Sequence, residues 1–190
     1  MKWYILFIFL LYLAISYIHP YLPLLVSILV VLSFWFIELP LPQRVFPFGR
    51  IYVLPVDRFG AFSVGRHIVF TRGLLKELSQ AELGAVYYHE YSHVKHKDQV
   101  FLVLLILIFL FFYHVVSEVY SIPYLVCAFF IFVWFYWQVE LRADYYSYFK
   151  TGFAMIRVLE KLQNSKPAKF RIGFSFHPPL SYRIRRLEEL

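Results

Sequence analysis

Long apolar blocks alternate with short polar stretches along this chain, and the alternation predicts its layout. Residues 3–18 are apolar apart from Ser16, and residues 22–37 form a second apolar block. His19, Pro20 and Pro23 separate the two. Each block falls slightly short of the roughly 20 residues a helix needs to cross a bilayer, a gap that aromatic flanks can close. The pair predicts a helical hairpin with a tight turn. A cleaved signal peptide is the alternative for the first block, but no small-x-small cleavage site precedes the second. Residues 100–116 and 124–137 repeat the pattern, with residues 117–123 as the break. His114 and Glu118 near that break read as interfacial groups.

Between and after the hairpins the pattern changes. Residues 38–49 contain Pro40, Pro42 and Pro47 and predict a loop. Residues 51–54, 59–64 and 67–70 predict strands, with Gly65-Arg66 turning the last two into a hairpin. Residues 74–78 predict a short helix. Ser79-Gln80-Ala81-Glu82 fits a capping box, in which the serine and the glutamate satisfy each other's end of a new helix. With no Pro or Gly between residues 85 and 99, that helix is predicted to run through residues 88–93 and to end in the charged run Lys95-His96-Lys97-Asp98. Residues 138–162 mix charged and apolar positions at helical spacing, and residues 164–171 predict a basic loop. A final amphipathic helix is predicted over residues 180–190. The expected fold is an α+β membrane protein, mainly helical, with four transmembrane helices and a small cytoplasmic domain containing a short β-hairpin or sheet. Its segments are residues 1–40 and 100–137 in the membrane and residues 41–99 and 138–190 outside it.

Composition agrees with the blocks. The 190 residues are 61% hydrophobic and 22% aromatic, with a mean hydropathy of +0.61. Soluble domains are nearer half apolar. The net charge of +7 is scattered over residues 38–99 and 138–190, which does not suit a nucleic-acid interface but does suit loops beside anionic lipid. By the positive-inside rule both segments, and both termini, face the cytoplasm of a multi-pass protein. The single Cys127 excludes an intrachain disulfide.

Chemistry concentrates in Tyr88-His89-Glu90-Tyr91-Ser92-His93. On a helix, His89 and His93 share a face one turn apart and can grip one zinc ion, while Glu90 reaches a water there as a general base. His96 lies about 10 Å along the axis from His89, too far to join them. A hydrolytic zinc site needs a third protein ligand. Glu140 is the best candidate, because it emerges from the fourth predicted span on the same side of the membrane. Asp144, one turn on, can fix a ligand histidine through its ring N–H. The strand before the motif, at Ala61, Phe62 and Ser63, can hydrogen-bond an extended peptide.

Six pieces of the sequence resemble the HtpX-type membrane metalloproteases, relatives of the CAAX prenyl endopeptidases within the gluzincins. They are Ala61-Phe62-Ser63-Val64-Gly65; Val69-Phe70-Thr71-Arg72-Gly73-Leu74-Leu75; Glu82-Leu83-Gly84-Ala85-Val86; the His89–His93 motif; Glu140-Leu141-Arg142-Ala143-Asp144; and His177-Pro178-Pro179 followed by Arg183-Ile184. The resemblance implies a zinc endopeptidase acting on misfolded or unassembled membrane proteins at the cytoplasmic face. It matches His89, His93 and Glu140 to ligands of one zinc ion per chain, Glu90 to the catalytic base, and Asp144 to the family's supporting acid. By analogy, His177 and Arg183 would stabilise an oxyanion. The chain departs from the family at Gly60, where an Asn is usual, and at Ser92, where many members have Gly. A prenyl-protein processing protease, an inactive scaffold retaining the fold, and a small metal transporter are the competing readings. The complete His-Glu-His-Glu set argues against a scaffold. The absence of polar residues from 100 to 110 argues against a transporter.

Overall fold

The computed structural model describes Leu29, Ser33 and residues 38–115, 120–165 and 177–190. The first predicted hairpin, most of the loop at 164–171, and Glu118 therefore lie outside the described residues.

From residue 38 onward the described residues form a four-stranded mixed sheet and six helices, in order: β1 (Gln43–Phe46), β2 (Gly49–Leu54), β3 (Ala61–Val64), β4 (His67–Thr71), α1 (Arg72–Glu77), α2 (Gln80–His96), α3 (Asp98–Val115), α4 (Ser121–Thr151), α5 (Ala154–Ser165) and α6 (Leu180–Glu188). The strand order is β1-β2-β4-β3. β1 pairs antiparallel with β2, β2 parallel with β4, and β4 antiparallel with β3, which forms an edge.

Residues 38–49 thus contain a strand that their prolines concealed. Pro47 and Phe48 form the turn between β1 and β2, where the missing proline N–H is not needed, and exposed Val45 marks β1 as the opposite edge. Gly49 follows the turn at φ +152°, a region that L side chains rarely adopt. Its Cα also approaches Tyr87 so closely that a Cβ would stand 2.1 Å from the phenol oxygen.

The capping box forms as predicted. Ser79 N–H donates to Glu82 Oε2 at 2.8 Å, and Glu82 N–H donates to Ser79 Oγ. Lys161 on α5 reaches the same carboxylate at 2.8 Å, tying the start of α2 to α5. The helix ends within the charged run Lys95–Asp98, where the sequence places its end. Its last residue is His96, because Lys97 turns left-handed at φ 55°, and α3 begins at once with Asp98. Lys97 is the only non-glycine residue at positive φ among the described residues, so no glycine announced the turn.

The core lies between the sheet and helices α2, α5 and α6. Ile51, Phe70, Leu74, Ala85, Leu159 and Leu187 are almost fully buried within it. α2 packs most extensively on the second half of α4, where the Ser147 hydroxyl donates to the Ala85 carbonyl at 2.7 Å.

α4 is one continuous helix of 31 residues. Its N-terminal part leaves Ile122, Phe130 and Trp134 exposed, as α3 leaves Leu104, Ile108 and Phe112. Among the described residues one helix, over Ile122–Thr151, is long and apolar enough to cross a membrane, and only 6% of its apolar window is buried. The apolar run Asp98–Leu110 is shorter. Of the four expected spans, the described residues therefore show one full-length candidate with a shorter apolar partner.

Candidate metal centre

The centre is assembled from α2, α4 and the start of α6. His89 and His93 project from one face of α2, as their four-residue spacing dictates. Glu140 arrives from α4. His89 Nε2 and His93 Nε2 stand 3.3 Å apart, and each lies 3.7 Å from an oxygen of Glu140. All three side chains are nearly enclosed by protein.

The ring tautomers follow from the other nitrogens. His93 Nδ1–H donates to Asp98 Oδ2 at 2.8 Å. His89 Nδ1 lies 3.0 Å from Asp144 Oδ1, close but off the line of a well-directed hydrogen bond. With both Nδ1 atoms turned to carboxylates, both Nε2 atoms present lone pairs to each other. Glu140 Oε2 is buried with no well-aligned donor, although His177 Nδ1 stands 3.0 Å away. Two lone pairs and a carboxylate converging at these distances repel unless a cation sits among them. Nitrogens bound to one tetrahedral ion at about 2.0–2.1 Å would be about 3.3–3.4 Å apart, so the residues fit a metal of zinc's size.

Two further shells hold this set. Arg183 is buried and forks onto Asp144 at 2.5 and 2.6 Å, so Arg183, Asp144 and His89 form a chain. On the other side Asp98 accepts from both His93 and Arg142, linking α2, α3 and α4 through one carboxylate. Burial works to lower the His93 pKa, but the bond to Asp98 and the charges of Glu90 and Glu140 outweigh it and raise it above its ordinary value near 6.5.

Glu90 is buried and lines the same cleft as His89 and Glu140. The cleft holds about 550 Å³ and also meets Gly60, Ala61, His177 and Arg183. His177 is half exposed at its rim, where its Nε2 is 3.2 Å from the Tyr136 hydroxyl. His96 turns away: its Nδ1 lies 2.9 Å from its own helix's Ser92 carbonyl. Phe62 and Ser63 continue the edge strand beyond the cleft, with Phe62 exposed.

Sequence reasoning did not single out Asp98 or Tyr136. Tyr136 carried a signal, since it precedes Glu140 by four residues and so shares its helical face. Asp98 carried none, because only the left-handed turn at Lys97 brings it back to His93. Five residues beyond His93 an intact helix would have carried it about 140° around the axis.

Two imidazoles and a carboxylate at one vertex, with a second carboxylate beside them in an open cleft, are the donor set of a metal-dependent hydrolase. The sequence model of peptidase family M48 matches residues 37–190, and the chain belongs to that family. Proteins named protease HtpX homolog are similar to it. The one from Acidiphilium cryptum (strain JF-5) is 44% identical over 57 residues, covering 27% of this chain and 20% of the relative. That from Syntrophotalea carbinolica is 38% identical over 61 residues, covering 30% and 22%, and that from Paraburkholderia phytofirmans 40% over 57 residues, covering 27% and 20%. The matches thus span only about a fifth of these relatives' own length.

Proposed function

We propose that this chain is a membrane-bound zinc metalloendopeptidase of the HtpX type, cutting misfolded or unassembled membrane proteins at the cytoplasmic face. The observation that carries the reading is the 3.3 Å approach of the two Nε2 atoms, with Glu140 beside them and Glu90 in the same cleft.

His89, His93 and Glu140 hold the metal. A zinc ion held there would polarise the scissile carbonyl and acidify the attacking water. Glu90 takes the water's proton as its oxygen bonds to the carbonyl carbon, then delivers that proton to the amine as the C–N bond breaks. His177, half exposed at the rim, supplies an N–H to the carbonyl oxygen as charge develops on it. Arg183 serves otherwise. Its guanidinium is committed to Asp144, so it acts by holding that carboxylate against His89. Ala61 and Ser63 on the β3 edge receive the substrate as an added strand.

Three features support the membrane setting and its orientation: the exposed apolar surface of α3 and α4, the mean hydropathy, and the concentration of Lys and Arg in residues 38–99 and 138–190. At about 1.5 Å per residue, the stretch of α4 from Ser121 to Glu140 is roughly 28 Å long. That length matches a hydrocarbon core of about 30 Å and supports a metal centre at the lipid surface.

The test is cleavage of an unfolded protein by the purified chain in detergent, stripped with chelator and refilled with zinc. Wild type should cleave only when refilled, and Glu90→Gln should lose at least about 10²–10⁴-fold while still binding zinc. Zinc binding without cleavage by wild type would refute the enzyme reading.

A further inference from the structure

The free edge of β3 is partly occupied by a side chain. Gly60 C=O accepts from Thr71 N–H at 3.0 Å, which places Gly60 in a hydrogen-bonded pair with β4's end. In an antiparallel ladder a residue's N–H and C=O point to the same side and alternate along the strand. Phe62 and Val64 therefore face β4, while Ala61, Ser63 and Gly65 face outward. On that outward side, Gln99 in the first turn of α3 spans the last two positions. Its Oε1 accepts from buried Gly65 N–H at 2.8 Å, and its Nε2 donates to the Ser63 carbonyl. A carboxamide that accepts from residue i+2 and donates to residue i copies the bonds of a neighbouring strand.

We infer that Gln99 is a specificity-determining residue that closes the substrate-binding edge and so sets how far along the peptide recognition extends. The inference rests on the protease reading above. With Gln99 in place, the edge offers a peptide only Ala61 N–H, Ala61 C=O and Ser63 N–H, the groups nearest the cleft. The Ser63 carbonyl and Gly65 N–H are already satisfied. A substrate longer on that side gains nothing until Gln99 is removed, when about two more peptide residues can pair.

The experiment compares wild type with Gln99→Met, a substitution that keeps the side-chain length and helix preference but cannot hydrogen-bond both groups. Both are assayed as full chains in detergent, refilled with zinc, on peptides lengthened stepwise on either side of the scissile bond. For wild type, KM should stop falling at a fixed length on one side. For Gln99→Met it should keep falling over about two further residues on that side, by roughly three- to tenfold, with kcat within about twofold. A plateau at the same length in both, or a KM that rises for all lengths, would overturn the proposal. Amide exchange supplies a readout independent of catalysis, in a Glu90→Gln background. Gly65 N–H should exchange faster in Gln99→Met than in the parent, and a long peptide should slow it again only in Gln99→Met. An unchanged Gly65 rate also overturns the proposal. If no peptide is cleaved by wild type but this exchange pattern holds, the edge assignment stands and the endopeptidase reading is what fails.

Discussion

Asp98 bears more of this centre than its place at a helix junction announces. It fixes the His93 ring on one oxygen and holds Arg142 on the other. Partners of this kind commonly contribute 10–100-fold to metal affinity. Asp98→Asn should weaken zinc binding at neutral pH by about that factor, as read by competition with a chromogenic chelator. The pH dependence has a defined sign. His93 must be neutral to bind metal, and its pKa is raised, so apparent metal affinity should fall as acidity increases through that raised pKa. Removing the Asp98 charge lowers that pKa, so the acid limb should move to lower pH even as neutral affinity falls. The candidate ligands His89 and His93 were legible from their four-residue spacing, and Glu140 from its place at the end of an apolar block. Asp98 reaches His93 only through the left-handed turn at Lys97, which no spacing rule encodes.

Among the elements, α2 and its cap could be read directly, since Ser79 and Glu82 declare a helix start by chemistry alone. Ser79→Ala should cost about 1 kcal/mol, measured by denaturant unfolding. β1 could not be read, because Pro42 and Pro47 flank its four residues and resemble loop punctuation. The mixed strand order could not be read either. Periodicity gives a strand's faces, whereas the parallel pairing of β2 with β4 depends on residues 55–60 carrying the chain past the β4 position to the edge strand β3. Gly49 anchors this corner. Gly49→Ala combines a forbidden φ with a 2.1 Å clash against Tyr87, and should destabilise by about 2–3 kcal/mol. Gly152→Ala, where nothing lies within 4 Å of the added carbon, should cost less despite its own positive φ.

At the scale of the whole molecule, the exposed apolar surface of α3 and α4 carries the proposed membrane setting. Ile131 is exposed midway between Ser121 and Glu140. Ile131→Arg should oppose membrane insertion by roughly 2.5–3.5 kcal/mol, visible as a larger fraction extracted from membranes by alkaline carbonate. The same change at exposed Phe149, beyond the metal centre, should leave extraction unaltered.

The single residue between α2 and α3 ties these scales together. His96 closes one helix and Asp98 opens the next, so the joint has no slack, and Asp98 itself grips His93. Glu140, the carboxylate of the candidate metal set, rides on α4. Lipid thickness tilts apolar helices that are too long or too short for it. A tilt of α3 against α4 would move Asp98 and Glu140 relative to each other and open or tighten the vertex between them. The bilayer thus becomes a setting for the metal site: zinc affinity measured in vesicles of increasing acyl-chain length should peak at one thickness and fall on either side.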